Sequence, residues 1–286
     1  MTSKRYSAML DAQIKRGRRP KAPTMAEKAD KHVLYERAVQ CTEAEFEFVD
    51  GNFRRIRKRV PTVLREDFCG TANMCAEWVR RRRKNIAIGV DLEPSVLEWG
   101  RGHHIAKLTR GEQQRVTLLQ ENVLNVKAPP ADIILAMNFS YWIFKDRALM
   151  RRYFSSVRDG LVDDGILFLD AFGGYDAYRE LKEKTEHKGF TYVWEHARFD
   201  PITSDIDCAI HFEFPDRSRT KNAFEYHWRL WTLPELREIL YEAGFKDVTI
   251  YWQGTDEKTG EGNNEFLPAA SGDADAGWIC FISAEK

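Results

Sequence analysis

Two acidic side chains and a glycine lie close together in the stretch LREDFCGTA, residues 64–72. Glu66 and Asp67 end a strand-like segment, and the chain then turns through Gly70 towards a helix. Ligands of open parallel sheets bind beyond the carboxyl ends of the strands, where a turn of small residues lets them approach the backbone. The two carboxylates therefore suit a cationic ligand group. A further acid, Asp91, follows the next strand 21 positions beyond Gly70, close to the spacing of about 20 residues at which a carboxylate takes ribose hydroxyls.

The single glycine limits the class of ligand. A dinucleotide-binding turn needs three glycines in the pattern G-x-G-x-x-G to cradle a pyrophosphate, and this turn has one. The third strand ends in Glu121 and Asn122, where a polar side chain could meet an adenine amine. A nucleoside that carries a positive charge and no phosphates fits this set of residues better than a dinucleotide.

Regular alternation of short apolar runs with amphipathic segments places these residues in an α/β fold. Predicted strands cover residues 63–67, 86–91, 116–121, 132–138, 166–172, 248–253 and 277–283, and predicted helices cover 71–83, 94–107, 146–161 and 175–186. This order is typical of βαβ units, so we predict a doubly wound, mostly parallel, seven-stranded sheet.

Two segments lie outside the sheet pattern. Residues 31–60 are expected to form a helical lid, in which Thr42 and Glu45 have capping-box spacing. Residues 188–231 alternate with period two and predict an antiparallel β insert over the site. We therefore assign residues 1–30 to a basic tail, and 61–187 with 232–286 to the ligand-binding domain.

Composition excludes several classes of partner. The 286 residues carry 44 basic and 44 acidic side chains, which gives no general electrostatic attraction to nucleic acids or membranes. No apolar run approaches the roughly 18 residues that a spanning helix requires. The five cysteines lack metal-ligand spacing and predict reduced thiols in a cytoplasmic protein without a metal.

The turn and the segments after it resemble the class I methyltransferases that use S-adenosylmethionine (SAM), over about residues 31–286. EDFCGTA is similar to the second half of the family's first motif, which reads approximately D-x-G-C-G-T-G, with Phe68 and Ala72 in place of its outer glycines. GVDLEPSVLEWG resembles the second motif, ENVLN the third, and ADIILAMNFSYW the fourth strand with its active-site end. The resemblance implies SAM as cofactor and S-adenosylhomocysteine (SAH) as product.

The resemblance also implies roles for single residues. Glu66 or Asp67 would face the methionine ammonium, Gly70 would allow close approach, and Asp91 would hold the ribose. The remaining implied cofactor contacts lie in the second, third and fourth motifs: Leu92, Asn122, Val123 and Asn138. Tyr141 is implied as a catalytic residue and Trp142 as a substrate contact, both at the active-site end of the fourth strand.

The insert supplies the remaining candidates for the methyl acceptor. On its polar face, His211 and His227 could take a proton and Arg229 could hold a carboxylate, while Tyr35 of the lid could contact the substrate. A similar insert caps small-molecule N-methyltransferases of the glycine and amino-sugar types, so we expect transfer to an N or O nucleophile of a small molecule. Two alternative functions stay open: a peptide or protein methyltransferase, and a non-catalytic nucleoside-binding protein. The insert strands could also pair across a homodimer.

Overall fold

The computed structural model describes residues 22–256 and 262–286. Within these ranges the helices are α1 (Met25–Lys28), α2 (Lys31–Ala38), α3 (Thr42–Arg57), α4 (Asn73–Arg81), α5 (Pro94–His103), α6 (Arg110–Gln113), α7 (Arg147–Asp159) and α8 (Leu233–Glu242). The strands are β1 (Val63–Asp67), β2 (Ile86–Asp91), β3 (Val116–Gln120), β4 (Ala131–Ala136), β5 (Leu161–Gly173), β6 (Leu181–His187), β7 (Phe190–Phe199), β8 (Asp205–Glu213), β9 (Arg219–Arg229), β10 (Asp247–Thr255), β11 (Gly262–Pro268) and β12 (Trp278–Glu285).

One large sheet has the strand order β11-β10-β12-β5-β4-β1-β2-β3. The pairs among β1 to β5 are parallel, and β12 enters antiparallel between β5 and β10. The prediction of a doubly wound, mostly parallel sheet is confirmed. The predicted seven strands are all present, and β11 adds an antiparallel edge strand within the polar segment before β12.

Apolar side chains of successive strand residues point to opposite faces of this sheet, and helices cover both faces. Leu64, Ile133 and Phe168 face a cluster built from α3 and α4, which includes Phe53 and Trp78. Residues of opposite parity face a second cluster built from α7 and α8, whose members include Ile134, Leu167, Phe154, Leu236 and Ile239. The result is a three-layer sandwich with β4 buried along its whole length.

A second, four-stranded antiparallel sheet has the order β6-β7-β8-β9. The predicted helix over residues 175–186 is wrong, because a short 3₁₀ turn at Tyr175–Tyr178 is followed directly by β6. The antiparallel sheet therefore begins before residue 188, where the sequence predicts the insert. β6 is an edge strand of this sheet, and its sequence LKEKTEH is mostly charged and exposed.

The N-terminal helices join the two sheets. Apolar side chains of α2, including Leu34 and Tyr35, pack on the antiparallel sheet against Phe212 and Phe224. Most of the tail predicted for residues 1–30 lies outside the described residues. Among residues 22–256 and 262–286, no helix combines the length and the apolar character that crossing a bilayer requires.

Candidate functional site

The strand order reverses between β1 and β4, and this fixes the position of the candidate site. β1 pairs with β2 on one side and with β4 on the other, so the chain leaves the two central strands in opposite directions. A crevice at the carboxyl ends of the strands is the usual consequence. The turn after β1 and the turn after β4 form its floor.

The turn after β1 has a backbone that glycine would normally supply. Phe68, Gly70 and Ala72 have φ angles of 58°, 52° and 57°, which lie in the left-handed region. Phe68 and Ala72 therefore adopt a backbone that favours glycine, at a cost of roughly 1–2 kcal/mol each. The Phe68 ring is accommodated beside Phe144 and Tyr153, with ring centroids 6.0 and 5.9 Å apart.

Asp91 holds this turn in place. Its Oδ2 accepts a hydrogen bond of 2.8 Å from the backbone N–H of Gly70, and its Oδ1 accepts one of 2.9 Å from the N–H of Glu93. A side chain built on Gly70 would meet no protein atom within 4 Å, so the space in front of this glycine is open. Leu92, which follows Asp91, is 59% exposed.

The two acids of β1 lie on opposite faces of the sheet, and the structure separates their roles. Asp67 is buried and engaged by Arg65, with contacts of 2.9 and 3.0 Å, and by the Tyr153 hydroxyl at 3.0 Å. Glu66 is half-buried, and its Oε2 accepts a hydrogen bond of 3.2 Å from the Cys75 thiol. Of the two carboxylates predicted to meet a cation, Glu66 is therefore the one without a basic partner of its own.

Burial makes Glu66 an unusually weak acid. Desolvation, together with the nearby charges of Glu45 and Asp91, raises its pKa to about 8. Burial likewise raises the pKa of Glu45 to about 7. Acids held this way favour a bound cation, because a cation relieves both the desolvation and the mutual repulsion.

Glu45 is the site residue that sequence reasoning missed. The capping-box spacing of Thr42 and Glu45 suggested a structural role, but Cys41 is the N-cap of α3 and makes no side-chain capping bond. The charge of Glu45 instead acts on Tyr35, Glu66 and Asp170. Its distance in sequence from β1 and β5 left no local signal for this role.

The turn after β4 is fixed by a second carboxylate. Asn138 and Phe139 are both left-handed, with φ of 56° and 58°, and their N–H groups donate to the two oxygens of Asp170 at 2.7 and 2.9 Å. Burial raises the pKa of Asp170 to about 7. Tyr141 and Trp142 are fully buried behind this turn, and the Tyr141 hydroxyl donates to the backbone carbonyl of Asp170 at 2.8 Å. The phenol of Tyr141 is thus already engaged within the core.

The predicted adenine contacts lie at the end of β3. Asn122 is exposed, and its Oδ1 accepts a hydrogen bond of 2.9 Å from the N–H of Leu124. This bond does not use the N–H groups of the Asn122 side chain. Val123 is 4% exposed and packs into the core beneath. Both residues follow the strand next to β2, so they share one edge of the sheet with Asp91.

Helix α2 is tied directly to the turn after β1. Glu36 accepts a hydrogen bond of 2.6 Å from the Thr71 hydroxyl and lies 2.6 Å from Nε2 of His104. Gln40, just after this helix, accepts a bond of 3.3 Å from the side chain of Asn73. Tyr35 lies on the same helix, with its ring 4.8 Å from that of Phe224 in β9. These contacts place α2 beside the crevice.

The polar face of the antiparallel sheet does not join this site. Trp228 lies 6.1 Å from Phe139 and 6.2 Å from Trp142, which shows that its face of β9 turns towards the β4 edge. His227, the next residue back, points to the opposite face, has a side chain that is 71% exposed, and bonds Asp207 at 2.8 Å. His211 shares that face in β8, where Glu195 lies 2.6 Å away.

Arg229 is occupied by structural contacts. It donates to Glu235 at 2.8 Å and to the backbone carbonyl of Lys145 at 3.1 Å, and its guanidinium lies 3.8 Å from the ring centroid of Trp231. The structure thus uses this cation to join β9 to α8. Among the described residues, no group of three or more His, Cys, Asp or Glu side chains is placed to hold a metal ion.

Solved structures with the same architecture identify the fold. A SAM-dependent methyltransferase from Clostridium acetobutylicum matches with a TM-score of 0.63 at 15% identity, covering 88% of this chain and 96% of that one. SAM-bound CalS10, an amino pentose methyltransferase from Micromonospora echinaspora, matches with a TM-score of 0.61 at 14% identity, covering 89% and 96%. The chain has the class I methyltransferase fold. DesVI of Streptomyces venezuelae shares this fold with a TM-score of 0.61 at 13% identity, covering 88% and 95%.

Sequence comparison supplies one further relative. A glycine/sarcosine N-methyltransferase from Aphanothece halophytica is 28% identical over 123 residues, which are 42% of this chain and 43% of that enzyme. The matched segment therefore spans less than half the length of that curated relative. No family model matches the chain.

Proposed function

We propose that the protein is a SAM-dependent methyltransferase that transfers a methyl group to a nitrogen or oxygen of a small molecule. The observation that carries the proposal is the conjunction of Asp91, Gly70 and Glu66 at the switch point of the sheet. Asp91 fixes the turn at 2.8 Å from Gly70, open space lies in front of this glycine, and Glu66 is an acid without a basic partner beside it.

The electrostatics fit SAM better than a phosphate-bearing cofactor. The charges of Glu45 and Asp91 act on Glu66 at the end of β1, and the charge of Glu45 also acts on Asp170 in β5. A pyrophosphate would add negative charge to this group, whereas the sulfonium and ammonium of SAM would neutralise it. When bound, SAM supplies an electrophilic methyl group for in-line transfer.

The protein's part in such a transfer is alignment. Asp91 and Gly70 would hold the ribose side, Glu66 the ammonium side, and Asn122 and Leu92 the adenine side. The turn of Asn138 and Phe139, fixed by Asp170, would face the acceptor. Holding donor and nucleophile at the attack distance in a site closed to water supplies most of the acceleration that this chemistry needs.

The inner face of the antiparallel sheet supports a small acceptor. Aromatic side chains of β7 and β9 lie against those at the ends of β4 and β5, so this wall is apolar and close to the turn of Asn138. The relatives are named as glycine/sarcosine and amino pentose methyltransferases. For the present chain we propose methyl transfer to the nitrogen of a small amine. Methyl transfer to an oxygen is the second reaction to assay.

Binding and methyl-transfer measurements test the proposal together. Calorimetry with SAM, SAH and NAD should show affinity for the first two only. Labelled SAM, incubated with glycine, sarcosine, an amino pentose, a phenol and a peptide mixture, should label a small amine. Binding of SAM without labelling of any acceptor would support a non-catalytic nucleoside-binding protein, and labelling of the peptides alone would support a peptide methyltransferase.

The thiols bear on the cellular setting. All five cysteines are free of disulfide bonds, which is compatible with a reducing compartment, and we propose that the enzyme acts in the cytoplasm. The homodimer expected from the sequence stays a prediction, and light scattering of the purified chain would check it.

A further inference from the structure

Helix α3 crosses one face of the large sheet and points its first turn at the candidate site. At the end of the helix, Arg57 donates to a backbone carbonyl in the first part of β5 at 2.7 Å. Farther back along the helix, Phe48 stacks on Phe281, the register partner of Asp170, with ring centroids 4.3 Å apart. The helix therefore runs from the carboxyl end of β5 towards its start. Glu45 lies one turn before Phe48, on the side of the site.

Glu45 shares this face of the sheet with two further acids. Leu64 of β1 and Phe168 of β5 face the cluster built from α3 and α4. Glu66 and Asp170 follow them by two residues in their strands, so they point to the same side. The charge of Glu45 accordingly acts on both carboxyls. Among the described residues, none of these three acids forms an ion pair with a lysine, arginine or histidine.

Two tyrosine hydroxyls lie near Glu45 as well. Its charge acts on Tyr35 of α2, whose hydroxyl interacts with that of Tyr226 on β9. All three side chains are half-buried, yet burial is the largest influence on the pKa of each. Side chains that protein surrounds and that still reach solvent line a concave space. Glu45 is thus close both to the proposed cofactor acid Glu66 and to the inner face of the antiparallel sheet, where we place the acceptor.

A role at the helix terminus does not account for Glu45. The positive end of the helix dipole stabilises acids of the first turn in their charged form, and Glu43 has this ordinary arrangement, exposed and paired with Arg81 at 3.4 Å. Glu45 instead lies against the site, and burial raises its pKa to about 7. A carboxyl with a pKa near neutrality is suited to accept a proton during turnover.

We propose that Glu45 is a catalytic residue that binds the ammonium group of the methyl acceptor and takes one of its protons. The inference rests on the proposed function and deepens it, because it selects a protonated amine over a phenol or an alcohol. The lone pair left on the nitrogen forms the N–C bond to the methyl group, and the C–S bond breaks with its electrons staying on sulfur. The methylated amine keeps a positive charge, and the Glu45 carboxyl releases its proton to water before the next turnover.

Glu45→Gln tests this role, because it keeps the shape of the protonated carboxyl and cannot take a proton. The acceptor is the best substrate of the wild type among glycine, sarcosine and an amino pentose. At pH 7 the variant's kcat/KM should fall about a hundredfold or more, with SAH affinity within about twofold. Glu43→Gln is the matched control, because it makes the same change in the same helical turn at an exposed side chain, and it should behave as the wild type.

The pH dependence separates a proton acceptor from a merely structural carboxyl. Without Glu45 the free amine must come from solution, so kcat/KM of Glu45→Gln should rise roughly tenfold per pH unit up to the pKa of the amine. The wild type should instead level off above about pH 7, where Glu45 is ionised. Parallel pH profiles for the two proteins would overturn the inference.

Carboxyl resonances give a readout that does not require turnover. Protein with ¹³C-labelled glutamate is saturated with SAH, and the Glu45 signal is assigned by its loss in Glu45→Gln. The inference predicts that ethylamine lowers the titration midpoint of Glu45 and leaves that of Glu43 unchanged. An unmoved Glu45 midpoint, a wild-type kcat/KM in Glu45→Gln at pH 7, or methylation of a phenol alone would overturn it.

SAH binding distinguishes this inference from the proposed function. A tenfold loss of SAH affinity in Glu45→Gln would place Glu45 on the cofactor and overturn its role towards the acceptor. A wild-type chain that does not bind SAH would instead remove the proposed function.

Discussion

The Asp91 carboxylate accepts the backbone N–H of Gly70 at 2.8 Å, so the acid that ends β2 also shapes the turn that ends β1. The turn is further held by a bond of 2.9 Å from the N–H of Cys69 to the carbonyl of Val90. In the proposed binding mode, Asp91 therefore shapes the cofactor's position before the cofactor arrives. Because a rigid site loses less entropy on binding, this relationship favours affinity as well as shape.

Gly70→Ala tests whether the cofactor lies against this turn. The added methyl would meet no protein atom within 4 Å, although the φ of +52° would cost an alanine about 1 kcal/mol. We therefore expect a small loss of stability and a loss of SAH affinity of tenfold or more. Gly102→Ala is the matched control, because its methyl also meets nothing and it lies in α5 at an ordinary helical position. Equal SAH affinity in both variants would move the cofactor away from Gly70.

Glu66 should release a proton when the cofactor binds. With its pKa raised to about 8, the carboxyl is largely protonated at pH 7, and a bound ammonium would favour the charged form. Calorimetry of SAH binding in buffers of different ionisation enthalpy should show this release, and Glu66→Gln should reduce it together with the affinity. An enthalpy that is independent of the buffer would contradict the placement of the ammonium.

The same pKa shifts predict how the free protein responds to pH. Between the ordinary pKa of about 4.5 and the raised values, the folded state holds protons on Glu66 and Glu45 that the unfolded chain has lost. Stability is therefore highest below this window and falls as pH rises from about 5 to 8, by up to about 1.4 kcal/mol per pH unit for each group. Urea titrations from pH 5.5 to 8.5 should show this fall, and saturating SAH should flatten it. A stability that rises over this range would show that these carboxyls are ionised throughout.

Arg229→Ala should lower the stability of the protein more than it changes KM for the acceptor. Removing the guanidinium breaks its bonds to Glu235 and to the carbonyl of Lys145 and its contact with Trp231. We expect a loss of roughly 2–3 kcal/mol in the free energy of unfolding, measured by denaturant titration, with KM changed less than twofold. A stable variant with a greatly raised KM would support the anchor role that the sequence suggested.

Local patterns predicted the elements that carry the cofactor and missed the groups that act across the fold. The strands at residues 63–67 and 86–91 and the positions of Gly70 and Asp91 follow from apolar runs and from spacing along the chain. The engagement of Asp67 by Tyr153, the charge of Glu45 and the turn bound by Asp170 depend on contacts between distant segments. The alternation of residues along each strand assigned side chains to the two faces of the antiparallel sheet. Which face turns towards the large sheet depends on how the two sheets pack, and that is not a local property of the sequence.

The most direct test is a calorimetric titration of the intact chain and of Asp91→Ala with SAH. The account predicts that the wild-type chain binds SAH and not NAD, and that Asp91→Ala lowers the affinity about a hundredfold, since it loses both a ribose partner and the bond that holds Gly70. Glu93→Ala, which removes only the cap of α5, should bind as the wild type does. A wild-type chain without affinity for SAH, or an Asp91→Ala variant with undiminished affinity, would contradict the account.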